Sequence, residues 1–166
     1  MTGSKTLTDS HALTRRRARA TSDAMFLHHA VMEDVHDRLS MVNRTFTKPA
    51  IVSGFPDIWT PLLVNADLTT DANTLDLAQN THDLVIHAMS LHWANDPVGQ
   101  LIQCKRALQK DGMFLAASFG GQTLHELRAC LGQAEVSVTG GLSPRIAPMG
   151  ELRDMGGLLQ RAGFAL

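Results

Sequence analysis

Apolar and polar positions along this chain fall into blocks whose period alternates between helical and extended. Leu27, Val31, Val35, Leu39 and Val42 recur at helical spacing and predict an amphipathic helix over residues 23–43. Lys48-Pro49 ends that region, and residues 50–53 form a short apolar run suited to a first strand. Gly54-Phe55-Pro56 reads as a turn, residues 61–66 as a second short strand, and residues 75–80 as a turn or brief helix. Asp83-Leu84-Val85-Ile86 begins a buried strand that runs to residue 88. A helix then starts at Asp96-Pro97, where Asp caps free N–H groups and Pro fits the first helical position. Val98, Leu101, Ile102 and Leu108 share one face of it, and Lys110-Asp111-Gly112 is its expected stop. Residues 113–117 are again apolar on both faces. Beyond them come a helix over 122–135 with Leu124, Leu127, Leu131 and Ala134 inward, a loop over 137–149, and a helix over 150–162 closed by Gly163. Residues 164–166 read as the start of another strand, so the domain is expected to be incomplete at its C-terminal edge.

Two buried strands joined by a helix make a right-handed βαβ unit in a parallel sheet, and the fold class is α/β with a Rossmann-like, mostly parallel sheet. Residues 1–22 are expected to be a flexible segment, and residues 23–166 a single domain, shortened before residue 83. Ligands on such sheets bind beyond the carboxyl ends of the strands. That rule puts His87, Ala88, Met89, Ser90, Leu91, His92 and Trp93 at the working edge.

Composition narrows the partners. With 44% apolar and 19% charged residues the chain has the make-up of a globular domain, and a net charge of −1 gives no reason to expect nucleic acid. The basic run Arg15–Arg19 reads as a solvated helix face. No run approaches the roughly 18 apolar residues of a membrane span. Cys104 and Cys130 lack CxxC spacing, which suggests reduced thiols and a cytoplasmic setting.

Candidate chemistry clusters at the same edge. His87 and His92 bracket the loop after the 83–88 strand; a histidine there can serve as general base or simply order the loop. Trp93 can stack on a ligand or pack under the following helix. Gly120-Gly121 stands before a helix N-terminus, where an anion can bind, and equally reads as a tight turn. Glu126 and Arg128 point partly toward that edge, and Arg145, in the glycine- and proline-rich loop, is a cation for an acidic group. His29, Glu33 and His36 share a helix face without the HExxH pattern and read as exposed polar residues, so no metal is expected.

The wording of residues 84–116, with LHW at 91–93 and R-A-L-x-x-D-G at 106–112, resembles the late half of a class I S-adenosyl-L-methionine (SAM) methyltransferase. Within that superfamily it is most similar to the complex I assembly factor 5 group and its bacterial relatives. The arginine-rich run at 15–20 with Phe26-Leu27-His28, the segment Gly120-Gly121-Gln122-Thr123-Leu124-His125-Glu126-Leu127-Arg128, Gly140 to Arg145, and Leu158 to Phe164 extend the resemblance. It implies SAM as cofactor, with Gly54 lining the cofactor loop, Asp71 at the nucleoside, His87, Ala88, Met89 and Ser90 at the methionine end, and His92 as the nearest base. It implies Trp93, Glu126, Arg128 and Arg145 on the substrate side, and a substrate that is a protein or an acyl-carrier thioester. One departure stands out. The family's D-x-G-x-G-x-G loop is replaced by Ser53-Gly54-Phe55-Pro56-Asp57, in which only Gly54 keeps a glycine. A non-catalytic assembly or scaffold protein on the same fold, or a hydroxylation in place of methyl transfer, therefore stay open.

Overall fold

The computed structural model describes residues 6–147 and 149–165. Four parallel strands form one sheet: β1 (Pro49–Ser53), β2 (Asp67–Thr70), β3 (His82–Ala88) and β4 (Leu108–Ala117), in the order β2-β1-β3-β4. The helices are α1 (Ser10–Arg17), α2 (Phe26–Met41), α3 (Pro97–Ala107), α4 (His125–Thr139) and α5 (Leu152–Arg161). Every residue of β1 and β3 is buried, as a parallel strand covered on both faces requires. Alternation sorts their side chains. Ile51, Leu84 and Ile86 pack with Val35 of α2 and with Trp59, whereas Ala50, Val52 and Val85 pack with Cys104 and Ala107 of α3. On the α3 side Leu101 meets Ala162, Leu158 and Leu159 at the end of α5. The result is an α/β/α sandwich, the α/β class with a Rossmann-like parallel sheet that the sequence predicts.

Asp83 shows how β3 is held at its start. Its carboxylate accepts hydrogen bonds from Thr47 N–H (2.6 Å), Thr47 Oγ1 (2.9 Å) and Lys48 N–H (3.0 Å). Burial pushes this carboxyl up, and the Thr47 and Lys48 bonds outweigh burial and hold it below the usual carboxylate value.

Several boundaries differ from the expected ones. The second strand lies at Asp67–Thr70 rather than 61–66, which is a run of turns carrying a 93% exposed Val64. Only Thr69 of β2 is buried, as suits a polar edge strand. Helix α3 ends at Ala107, and β4 begins at once, at Leu108. Asp111, not Gly112, takes the left-handed backbone (φ 63°), inside an irregular part of the β3–β4 ladder. The glycine serves close approach instead: a Cβ on Gly112 would meet Leu108 Cδ2 at 2.8 Å. The buried face of α3 runs through Gln100, Leu101, Cys104 and Ala107, so Val98 and Ile102 lie at its margins. Helix α4 buries none of its residues, and the leucines expected inward, Leu124, Leu127 and Leu131, are 51%, 47% and 37% exposed. Phe164 does not start a strand; its ring lies 4.7 Å from that of Phe114, and Leu166 falls outside the described residues. Helix α1 forms within the segment expected to be flexible, capped by Asp9, whose side chain accepts from Ala12 N–H.

Candidate active-site crevice

The strand order reverses at β1, since β2 lies on one side of it and β3 on the other. In an open parallel sheet this switch point is where the loops beyond the carboxyl ends part and leave a crevice. Residues 53–55 leave β1 here, residues 70–73 leave β2, and residues 88–93 leave β3. A cavity of about 630 Å³ opens between them, lined by Gly54, Phe55, Asp71, Trp93 and Gln100 and roofed by Leu13, Thr14 and Arg17 of α1. Its size suits a nucleoside-sized ligand.

Asp71 is placed by a polar chain through the core. The His87 ring is wholly buried in β3, and its Nε2 lies 2.8 Å from Gln100 Oε1. Gln100 Nε2 donates to Asp71 O (3.0 Å) and Ala72 O (3.1 Å), so its Oε1 is the end left to accept. His87 therefore carries its proton on Nε2, and its Nδ1 accepts from Ser90 Oγ at 3.4 Å. Burial depresses the His87 pKa against the opposing pull of the Gln100 bond, and the ring is neutral. His87 and Ser90 thus use their side chains on each other and on α3 rather than on the crevice, as a correction to their expected ligand contact. Ala88 and Met89 also turn their side chains into the core. The 88–90 segment bends sharply at Met89, whose φ of 53° is a left-handed value that a side chain rarely takes.

His92 sits differently. Its ring lies between Trp93 (5.1 Å) and Phe119 (4.9 Å), and both of its nitrogens are buried without a hydrogen-bond partner. Burial, helped by the Arg17 cation, pushes its pKa down to about 4, so the ring is neutral with one free acceptor nitrogen. A buried polar group left unpaired in this way costs stability. Past Phe119 a second cavity of about 980 Å³ runs along the end of β4 toward α5 and is lined by Met89, Leu91, Val31, Met155 and Leu159.

The fit to a nucleoside cofactor is visible at Gly54 and Asp71. A Cβ on Gly54 would fall 2.3 Å from Arg17 Cζ, so the glycine gives another group close access to the β1 turn. The Asp71 carboxylate stands at the adjacent strand end, where it can accept from ribose hydroxyls. In this structure Arg17 holds both places: it donates to Asp71 through Nη1 (2.6 Å) and Nη2 (2.7 Å) and lies 5.8 Å from the Phe55 ring centre. Arg17 and Gln100 were not singled out from sequence. Arg17 belongs to a run that reads as solvated, and the only signal for Gln100 is an amide on the buried face of a helix.

The remaining sequence candidates divide. Trp93 lines the crevice, whereas Glu126, Arg128 and Arg145 lie away from it, on α4 and the loop after it. Arg145 donates to Glu135 at 2.6 Å, and Arg128 to Ala147 O at 3.3 Å. The Arg145 and Ser143 contacts hold the Glu135 carboxyl down at about 2, which makes Arg145 a clamp for its own loop. Gly120-Gly121 forms a turn tied by Gly121 N–H to Gly150 O at 2.9 Å. His29, Glu33 and His36 are exposed on α2, and among the described residues no three His, Cys, Asp or Glu side chains gather as a metal site.

Residues 56–116 match the family model for a methyltransferase domain. The mitochondrial arginine-hydroxylase NDUFAF5 of Homo sapiens is 48% identical over 94 residues, a match covering 57% of this chain and 27% of that protein. The malonyl-[acyl-carrier protein] O-methyltransferase of Laribacter hongkongensis is 37% identical over 105 residues, covering 63% of this chain and 32% of that enzyme. A SAM-dependent methyltransferase structure from Thermotoga maritima superimposes with a TM-score of 0.60 at 15% identity, over 94% of this chain and 81% of that one, which concerns the fold alone. The matches therefore span about a third or less of these curated relatives' own length. Sheet order, domain signature and sequence kinship agree: the chain has a methyltransferase-like fold and is similar in sequence to SAM-dependent methyltransferases and to the complex I assembly factor 5 group.

Proposed function

We propose that the crevice at the β1–β3 switch point binds SAM, with Asp71 receiving the ribose hydroxyls and the backbone of residues 88–90 the methionine end. One observation carries this reading: Gly54 and Asp71, at the ends of the adjacent strands β1 and β2, converge with Trp93 on a single cavity. SAM, when bound, supplies an electrophilic methyl group. The chain's own contribution is then positioning. Trp93 and Phe119 flank His92, whose neutral ring, with its pKa held down at about 4, would accept a hydrogen bond from a substrate nucleophile rather than act as a strong base. The apolar cavity beyond Phe119 suits the substrate, as a protein side chain with its neighbours or an acyl-carrier thioester. A cytoplasmic setting goes with two unpaired thiols. No helix among the described residues is long and apolar enough to cross a membrane.

A second reading has its own support. The Arg17–Asp71 pair fills the place of the nucleoside, and the glycine loop is reduced to Gly54, which favours a methyltransferase fold kept as an assembly or scaffold protein. Arginine hydroxylation, the activity in the human relative's name, would use the same crevice for a different reaction. Calorimetric titration with SAM and S-adenosylhomocysteine separates these readings. Binding with a Kd on the order of micromolar is expected of the first. No heat from a well-folded sample would sink it and leave the scaffold reading.

A further inference from the structure

Helix α1 is attached to the rest of the molecule chiefly by polar clasps at its two ends. At one end Thr8 N–H donates to Asn95 Oδ1 (2.8 Å) and Asn95 Nδ2 donates back to Thr8 O (3.0 Å). At the other stands the two-bonded pair of Arg17 with Asp71. Between them the helix buries no residue. An element held by hydrogen bonds and ion pairs, without a buried apolar face, opens at low cost compared with the core. The Arg17 pair is the exception to its surface character, since the two side chains are only 19% and 9% exposed.

We infer that Arg17 is a latch on the crevice: α1 is a strap across it, and a nucleoside gains Gly54 and Asp71 only by displacing the Arg17 guanidinium. The inference rests on the nucleoside reading above. Its geometry is exclusive rather than merely close. Guanidinium atoms stand 2.3, 2.5 and 2.7 Å from where a single carbon would sit on Gly54, so no ligand atom shares that space with Arg17. Both Asp71 oxygens also accept from the guanidinium, one from each terminal nitrogen. A ribose diol and Arg17 therefore compete for one carboxylate. When the receptive state is a fraction of the population, the apparent affinity falls by that fraction, and removing the latch restores it. The same contact reconciles a site that is well formed with one that is covered.

Calorimetry with S-adenosylhomocysteine on the wild-type chain, Arg17→Met and Arg17→Lys tests this, together with hydrogen exchange of the amides of residues 10–18. Arg17→Met keeps the stem of the side chain and removes the guanidinium. About tenfold or greater tightening is expected for Arg17→Met, an intermediate gain for Arg17→Lys, and faster exchange of α1 both in Arg17→Met and in the ligand-bound wild type. Equal affinity in wild type and a folded Arg17→Met overturns the latch and leaves the nucleoside site standing. Weaker binding by Arg17→Met overturns it too, and makes Arg17 a ligand contact. No binding by either overturns site and latch together.

Discussion

Two histidines five residues apart illustrate how position decides chemistry. His87 spends both ring nitrogens on Gln100 and Ser90 and serves to fix the end of β2 against α3. His92 has the same residue type, and neither of its buried ring nitrogens has a hydrogen-bond partner. Both have folded pKa values below the ordinary histidine value, largely through burial. The unfolded chain then binds more protons than the folded one between each folded-state value and about 6.5. For His92 that window reaches down to about 4. Stability should therefore rise with pH across it and level off above it. Replacing His92 by Gln, which cannot charge, should flatten the slope between about pH 4 and 6.5 in urea unfolding followed at fixed temperature. An unchanged slope would place the His92 ring in solvent. At this scale the sequence showed which residues stand at the strand end, because an apolar run from Leu84 predicts a buried strand. It did not show which side chains turn inward. The partners that decide this, Gln100 and Arg17, come from elements far apart in the chain.

Helix α4 poses the opposite case, an element whose existence was legible and whose environment was not. Leu124, Leu127 and Leu131 repeat at helical spacing, and that pattern is what a core-facing helix shows. The structure leaves them exposed, and Leu131 lines a cavity shared with Leu142, Pro144 and Ile146. Periodicity reports that a face is apolar and says nothing of what covers it. Changing Leu127 and Leu131 to Gln together should alter the stability of this chain by no more than about 1 kcal/mol, against 2–5 kcal/mol for each leucine truncated in a core. A loss of several kcal/mol in urea unfolding would show the face to be buried in solution. The α3–β4 junction departs from its sequence pattern for a related reason. Gly112 is the residue usually left for a left-handed stop, yet Asp111 adopts that backbone inside a strand while the glycine admits the Leu108 side chain.

The whole molecule is organised by one sheet whose order, β2-β1-β3-β4, puts the ligand crevice beside its most buried strands. The crossover from β3 through α3 to β4 was readable because each junction carries local chemistry, such as Asp96, which caps Gly99 N–H at 2.8 Å. The position of β2 was not, since a polar edge strand of Asp-Leu-Thr-Thr has almost no pattern to read.

All four strands run the same way, so no pair of them can be joined by a tight hairpin. Each ladder has to close a long stretch of chain before any of its hydrogen bonds form, and that entropy is spent ahead of the reward. Refolding followed by Trp59, which is wholly buried, should accordingly take milliseconds to seconds rather than microseconds; a microsecond phase carrying the full signal would contradict it. The order of synthesis sharpens the point. β1 emerges first and is central, with partners on both sides that are made later. Until β2 leaves the ribosome, Ala-Ile-Val stands as a bare apolar strand open on two edges, and until β3 follows it stays open on one, which is when the nascent chain is most prone to pairing with the wrong neighbour.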